Sequence, residues 1–138
     1  MIDFNFETDF VLDSPESYQK WIETIINDYN FEVGDISYIF CDDEYLLQIN
    51  QQYLNHDDLT DIISFDYTEG KSISGDIFIS IERVKENANQ YKVDFQQELL
   101  RVMCHGILHF LGFKDKIEED RLEMRKNEEI CIKKHISN

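Results

Sequence analysis

The sequence predicts an α+β fold: a single domain over residues 1–138, with a mixed sheet of about four strands packed against about five helices. Three observations lead there. Hydrophobic residues make up 42% of 138 positions, enough to bury one core in a chain of ordinary single-domain length. Short runs with apolar residues at every second position are interspersed with longer runs at helical spacing. With one proline and five glycines, the chain offers no linker, repeat or low-complexity stretch to divide it.

Residues 3–12 alternate through Phe4, Phe6, Phe10 and Leu12 and read as an edge strand. Ser14-Pro15-Glu16 then reads as an N-cap with proline at the first helical position. The helix it opens carries Trp21, Ile22, Ile25, Ile26 and Tyr29 on one face. Gly34-Asp35 precedes a strand of Ile36, Tyr38, Ile39 and Phe40. Asp42-Asp43-Glu44 caps a second helix bearing Leu46, Leu47, Ile49, Asn50 and Tyr53. Two strands follow, at 62–67 and, after Gly75-Asp76, at 77–81. A helix over about 82–91 leads to another that Asp94 caps, and the last spans about 117–135. That last helix begins acidic and ends basic, as its dipole favours.

The helix that starts after Asp94 is apolar nearly all round, through Leu99, Leu100, Val102, Met103, Cys104, Ile107, Leu108, Phe110 and Leu111. Such a helix is a buried, central one. It nevertheless carries a polar ribbon: at ~100° per residue, Glu98, His105 and His109 fall within about 40° of one another, with Arg101 beside them. Buried polar groups need partners, and a metal ion is one way to supply them. His105 and His109, four apart, project from one face closely enough to share an ion. Gly112 suits the left-handed residue that ends a helix, and three positions later Asp115 returns a carboxylate. Two imidazoles and one carboxylate leave the fourth tetrahedral position of a zinc ion for water, the arrangement of catalytic zinc. One zinc ion on the buried central helix is therefore expected, held by His105, His109 and Asp115. Gly106 stands where the H-E-x-x-H motif has its glutamate base, which disfavours a peptidase of that kind. Glu98 either orients a histidine or a water, or pairs with Arg101.

Other features set limits. Thirteen basic against twenty-nine acidic residues give a net charge of −16, without the basic footprint common in nucleic-acid enzymes. Basic protein partners would suit such a surface. Cys41, Cys104 and Cys131 form no C-x-x-C pair and are expected as reduced core thiols of a cytoplasmic protein. No segment approaches the ~18 apolar residues of a membrane span, and no signal pattern opens the chain, so no membrane is expected. No dinucleotide cofactor is expected either. The acidic segment His56-Asp57-Asp58-Leu59-Thr60-Asp61 matches no calcium loop and reads as a loop whose Thr60 and Asp61 bond their own backbone.

The run His105-Gly106-Ile107-Leu108-His109 with Gly112-Phe113 resembles the signature of the YbeY family, bacterial endoribonucleases and ribosomal RNA maturation factors. Asn50-Gln51-Gln52-Tyr53 followed by Thr60-Asp61-Ile62-Ile63-Ser64-Phe65 resembles its N-x-x-Y … T-[DN]-V-L-S-F block. Gly75-Asp76-Ile77-Phe78-Ile79-Ser80 resembles its G-D-I-x-I-S strand, and residues 124–128 its terminal helix, so the likeness covers about 32–130. It implies a single-domain metalloprotein with bound zinc. The implied role is a single-strand-specific endoribonuclease in maturation of the small-subunit ribosomal RNA precursor and in ribosome quality control. Ribosomal RNA precursor or a ribosomal subunit, with basic ribosomal proteins, would be its partners. The chain departs from the commonest family pattern in having Asp115 as third ligand in place of histidine, and Leu54 in place of an arginine after Tyr53. His56 offers a cation or proton two residues on, and Asp61 and Ser64 are candidates for substrate contact, with Glu98 and Arg101 around the metal. Two alternatives stand beside the nuclease: a non-enzymatic ribosome-assembly factor with a structural metal, and a metallohydrolase of another substrate.

Overall fold

The computed structural model describes residues 1–55 and 59–137, with side chains through residue 135. One four-stranded sheet organises it, built from β1 (Ile2–Phe6), β2 (Glu32–Cys41), β3 (Ile62–Asp66) and β4 (Ser72–Ser80). The order is β1-β2-β4-β3, with β1, β2 and β4 parallel and β3 antiparallel at the edge. Parallel neighbours need crossovers, and α1 (Pro15–Asp28) provides the one between β1 and β2. The remaining helices are α2 (Asp43–Leu54), α3 (Ile81–Tyr91), α4 (Phe95–Phe110) and α5 (Glu118–Ser137). The α+β architecture, the mixed sheet of four strands and the five helices agree with the expectation.

The two faces of the sheet are buried unequally. Ile36, Tyr38 and Phe40 of β2 and Ile73, Ile77 and Ile79 of β4 point to one side, where α1, α4 and α5 complete the main core. Cys41 and Ile63 pack on the other side with Leu46 of α2 in a small separate cluster. Buried aromatic polar atoms find backbone partners that lock the layers together. Tyr38 Oη donates to the carbonyl of Met103 at 2.8 Å, and Trp21 Nε1 to that of Cys131 at 2.8 Å. The three cysteines are free and buried, as expected. Burial pushes the Cys41 thiol up to about 12 and the Cys104 thiol well above its usual range, as expected of inert core cysteines.

Five sequence expectations are corrected. The first strand ends at Phe6, not residue 12: the chain turns away, and Phe10 folds back onto Phe6, Phe40 and Phe95 at centroid distances of 5.5–6.3 Å. Hydrophobic alternation continues through the turn because both stretches serve one aromatic cluster. Ser14 does not cap α1 with its side chain; it takes a left-handed φ of 54° and its carbonyl accepts from Ser17 N and Oγ. Gly34-Asp35 lies inside a longer β2, at a register irregularity between Val33 and Ile36. Likewise β4 begins at Ser72, so Gly75 is a strand residue. A Cβ there would meet the Phe65 carbonyl at 2.4 Å and the Phe110 ring at 2.5 Å. The strand stops at Ser80, whose hydroxyl caps α3 by accepting from Arg83 N, so Ile81 opens the helix.

His135 near the end of α5 lies edge-on to Trp21, with its Nε2 buried and without a hydrogen bond. Burial lowers its pKa below the ordinary 6.5. The unfolded chain therefore binds this proton more readily, and the stability in question is complete above about pH 6.5 and lost as pH falls towards the folded pKa. Thermal melts of metal-free protein between pH 7.5 and 5 should fall less steeply for His135→Phe than for wild type. Parallel curves would rule out this contribution.

Candidate metal centre

Three successive structural devices bring the ligand atoms together. Asp94 caps α4 through its carboxylate, accepting from Gln97 N at 2.7 Å, and starts a helix that places His105 and His109 one turn apart. The imidazoles stand nearly perpendicular, with their Nε2 atoms 3.0 Å apart. Gly112 then adopts a φ of 106°, and Phe113 N donates to the Leu108 carbonyl while Gly112 N donates to that of His109. This is a Schellman closure, and it reverses the chain over the end of the helix. Asp115 thereby returns with Oδ2 3.2 Å from His105 Nε2 and 3.3 Å from His109 Nε2.

The proton positions follow from the partners on the far side of each ring. His109 Nδ1 lies 3.0 Å from the Phe113 carbonyl, which can only accept, so Nδ1 carries the hydrogen. His105 Nδ1 lies 2.6 Å from Glu128 Oε2, a carboxylate that again calls for a donor. When each ring is neutral, this tautomer turns both Nε2 lone pairs towards each other and towards the Asp115 oxygen. Three acceptors then face one another at 3.0–3.3 Å with no hydrogen between them. Such an arrangement calls for a cation. Ligand atoms about 2.0–2.1 Å from a tetrahedral zinc stand about 3.3 Å apart, so the triangle fits one face of that tetrahedron. His105, His109 and Asp115 could hold such an ion.

Glu128 is the site residue that the sequence reading missed. It sits on α5, is only 2% exposed, and touches the centre across 23 positions of sequence. Its Oε1 is buried without a hydrogen bond, with the guanidinium groups of Arg101 and Arg125 at 3.5 and 3.6 Å. A signal was present: Met124, Asn127, Glu128, Cys131 and Ile132 form the buried stripe of α5, and a glutamate in that stripe needs a partner. Glu98, also 2% exposed, resolves to the salt-bridge alternative: Arg101 Nε donates to Oε1 at 3.0 Å and a terminal nitrogen to Oε2. Histidine orientation falls to Glu128 instead. Burial opposes charge on Arg101, but Glu98, with Glu128 and Asp61 beyond it, more than offsets this and raises its pKa.

The other candidates are placed as follows. Asp61 adds to the field at Arg101, accepts from Asn87 Nδ2 at 3.2 Å, and gives its carbonyl to Ser80 N. Thr60 Oγ1 donates to the carbonyl of Ile62, as a self-bonded loop end would. Ser64 pairs across from Ile77, two residues after Ile62, and so lies on the sheet face that α4 covers. His56 lies outside the described residues. Gly106 faces the sheet: a Cβ would stand 3.0 Å from Ile77 Cδ1 and 3.2 Å from Ile62 Cδ1. The position after His105 is used for packing and holds no group that could act as a base.

Comparison with known proteins gives a consistent result. The family model described as Endoribonuclease YbeY matches residues 3–135. The chain is similar to an Endoribonuclease YbeY of Flavobacterium psychrophilum, 57% identical over 133 residues, covering 96% of this chain and 95% of that protein. It is likewise similar to that of Christiangramia forsetii, 57% identical over 128 residues, covering 93% and 90%. A solution structure of a Thermotoga maritima protein superimposes with a TM-score of 0.69 at 26% identity, covering 98% of this chain and 89% of that one.

Proposed function

The chain belongs to the endoribonuclease YbeY family, and on that premise we propose that it is a zinc-dependent, single-strand-specific endoribonuclease. Its substrate is the precursor of small-subunit ribosomal RNA, and its wider role is ribosome quality control in the cytoplasm. Among the described residues no helix is long and apolar enough to cross a membrane. The observation that carries the metal dependence is the meeting of three acceptor atoms with both imidazole hydrogens committed elsewhere.

Zinc on His105, His109 and Asp115 would keep a position for water and would supply Lewis acidity towards that water and a phosphoryl oxygen. The chain's own groups do the rest. Glu128 and the Phe113 carbonyl hold the two rings in one tautomer, so the ligand geometry needs no rearrangement. With Gly106 packed on the sheet, the position after His105 offers no side chain to take the proton of the nucleophile. Attack by water leaves a 5′-phosphate, whereas attack by the RNA's own 2′-hydroxyl leaves a cyclic or 3′-phosphate. End-group analysis of the product separates them.

Elemental mass spectrometry of untagged protein tests the reading. Wild type should carry close to one zinc per chain, and Asp115→Ala markedly less, since one of three ligands is gone. Chelation should lower the melting temperature, because a bound ion stabilises the folded state by mass action. Cleavage of single-stranded RNA should vanish with chelator and with His109→Ala. Absence of stoichiometric metal after zinc is offered back would overturn the proposal. It would favour the assembly-factor alternative, in which the acidic surface binds basic ribosomal proteins.

A further inference from the structure

The chain contains only four arginines, at positions 83, 101, 121 and 125. Arg83 is committed to Asp43, with Nε 3.1 Å from Oδ1 where α2 meets α3. The other three line one open depression of about 140 Å3, together with His105, Asp115 and Glu128. In a chain of net charge −16, three guanidinium groups thus gather against two of the three candidate metal ligands.

The carboxylates around this depression are already engaged. Glu128 Oε2 faces the His105 ring, Asp115 faces both Nε2 atoms, and Glu98 balances Arg101. Arg121 gives one terminal nitrogen to the Lys116 carbonyl at 2.7 Å. Among the described residues Arg125 makes only the long pair to Glu128, and it is 63% exposed, so most of its donors face outward for a ligand. A planar guanidinium fork matches the oxygens of a phosphate better than an ammonium does. Arg101 and Arg125 also wall an adjoining depression of about 230 Å3 that includes Tyr91. Tyr91 is 53% exposed, and the Arg101 guanidinium carbon lies 5.9 Å from its ring centroid. Charge followed by an aromatic face suits a strand that continues past one phosphate, where bases stack on aromatic rings.

We propose that the Arg101/Arg121/Arg125 depression is a phosphate subsite holding a backbone phosphodiester of single-stranded RNA beside the metal centre. Arg121 and Arg125 touch the phosphate, and Arg101 is a positioning residue that holds the wall they share through Glu98 and Glu128. The subsite rests on the endoribonuclease reading and supplies the cationic contact that Leu54 does not.

The test is equilibrium binding of a fluorescein-labelled 12-nucleotide 2′-O-methyl oligonucleotide to zinc-loaded full-length protein, with probe integrity checked on a gel. The Arg121→Gln/Arg125→Gln pair should weaken binding about ten-fold and flatten the salt dependence by about 0.7 in log–log slope for each phosphate no longer neutralised. A Lys20→Gln/Lys85→Gln pair, equal in charge change, should alter affinity less than two-fold. Arg125→Gln alone, which leaves the Arg121 contact to the Lys116 carbonyl intact, should give about a three-fold loss, and its melting temperature should match wild type. Inorganic phosphate should displace the oligonucleotide only at far higher concentration than unlabelled strand does; equal potency would mean a site for the free anion and would overturn the proposal. Arginine variants that bind like the lysine pair while wild type cleaves RNA would sink the subsite and leave the endoribonuclease reading standing. A wild type that neither binds nor cleaves RNA would remove both.

Discussion

Glu128→Ala is expected to lose zinc affinity by about 10–100-fold, the usual consequence of removing the group that orients a metal-binding histidine. The substitution frees the His105 Nδ1 hydrogen from its acceptor at 2.6 Å, so the ring can turn and either nitrogen can carry the proton. It also withdraws a 2%-exposed carboxylate from between Arg101 and Arg125. Breaking a buried ion pair by deleting one partner costs about 3–5 kcal/mol. Arg101 keeps Glu98, so the lower end applies, about 3 kcal/mol, or roughly 10 °C in melting temperature for a chain of this size. Two measurements separate the effects: melting in excess chelator reads the fold alone, and competition with a zinc chelator of known affinity reads the site. Glu128→Gln keeps the volume and a neutral acceptor, and should fall between alanine and wild type in both. Wild-type zinc affinity in Glu128→Ala would mean that Glu128 does not hold His105 in its metal-binding form.

This residue also marks the limit of what could be read before folding. His105, His109, Gly112 and Asp115 lie within eleven consecutive residues, and helix geometry plus one glycine turn is enough to bring their side chains together. Glu128 and Arg125 arrive from α5, whose placement depends on packing against α4 and α1 rather than on any local rule. The same divide runs through the fold. Helices with strong periodicity and a capping carboxylate, such as α2 behind Asp42 and α4 behind Asp94, begin where the sequence puts them. Gly75 looked like a turn because glycine usually punctuates, and only the approach of Phe110 and Phe65 explains it inside β4. Alternation across Phe6 and Phe10 persisted beyond the strand because tertiary aromatic contacts, not ladder bonds, account for the second residue. Glu98 and Arg101 share one helix face, so their pairing was legible as one of two outcomes. The choice required knowing that another carboxylate already served His105.

Gly106→Glu, which would restore the letter pattern of a zinc peptidase, is expected to unfold the protein rather than supply a base. The Cβ vector at this position points into the sheet, with Ile77 Cδ1 at 3.0 Å and Ile62 Cδ1 and Ile77 Cγ2 at 3.2 Å. A glutamate there would drive its carboxylate into the contact that Gly106 makes with Ile77 and Ile62. Burying such a group costs several kcal/mol even after it takes up a proton. A margin of about 5–15 kcal/mol is all that a domain of this kind has to lose. Gly106→Ala provides the control, since the isoleucine tips can shift by a few tenths of an ångström and helix propensity returns up to about 1 kcal/mol. The alanine variant should melt near wild type and retain zinc, while the glutamate variant should show little cooperative melting by circular dichroism. A glutamate variant that folds normally and cleaves peptides would mean that this face of α4 opens to the active site. As the helix lies, the residue after His105 serves the close contact between α4 and the β3–β4 edge. The Gly106 position therefore offers nothing to accept the proton of the attacking group, and that proton must pass to a group outside this helix face whether the nucleophile is water or a 2′-hydroxyl.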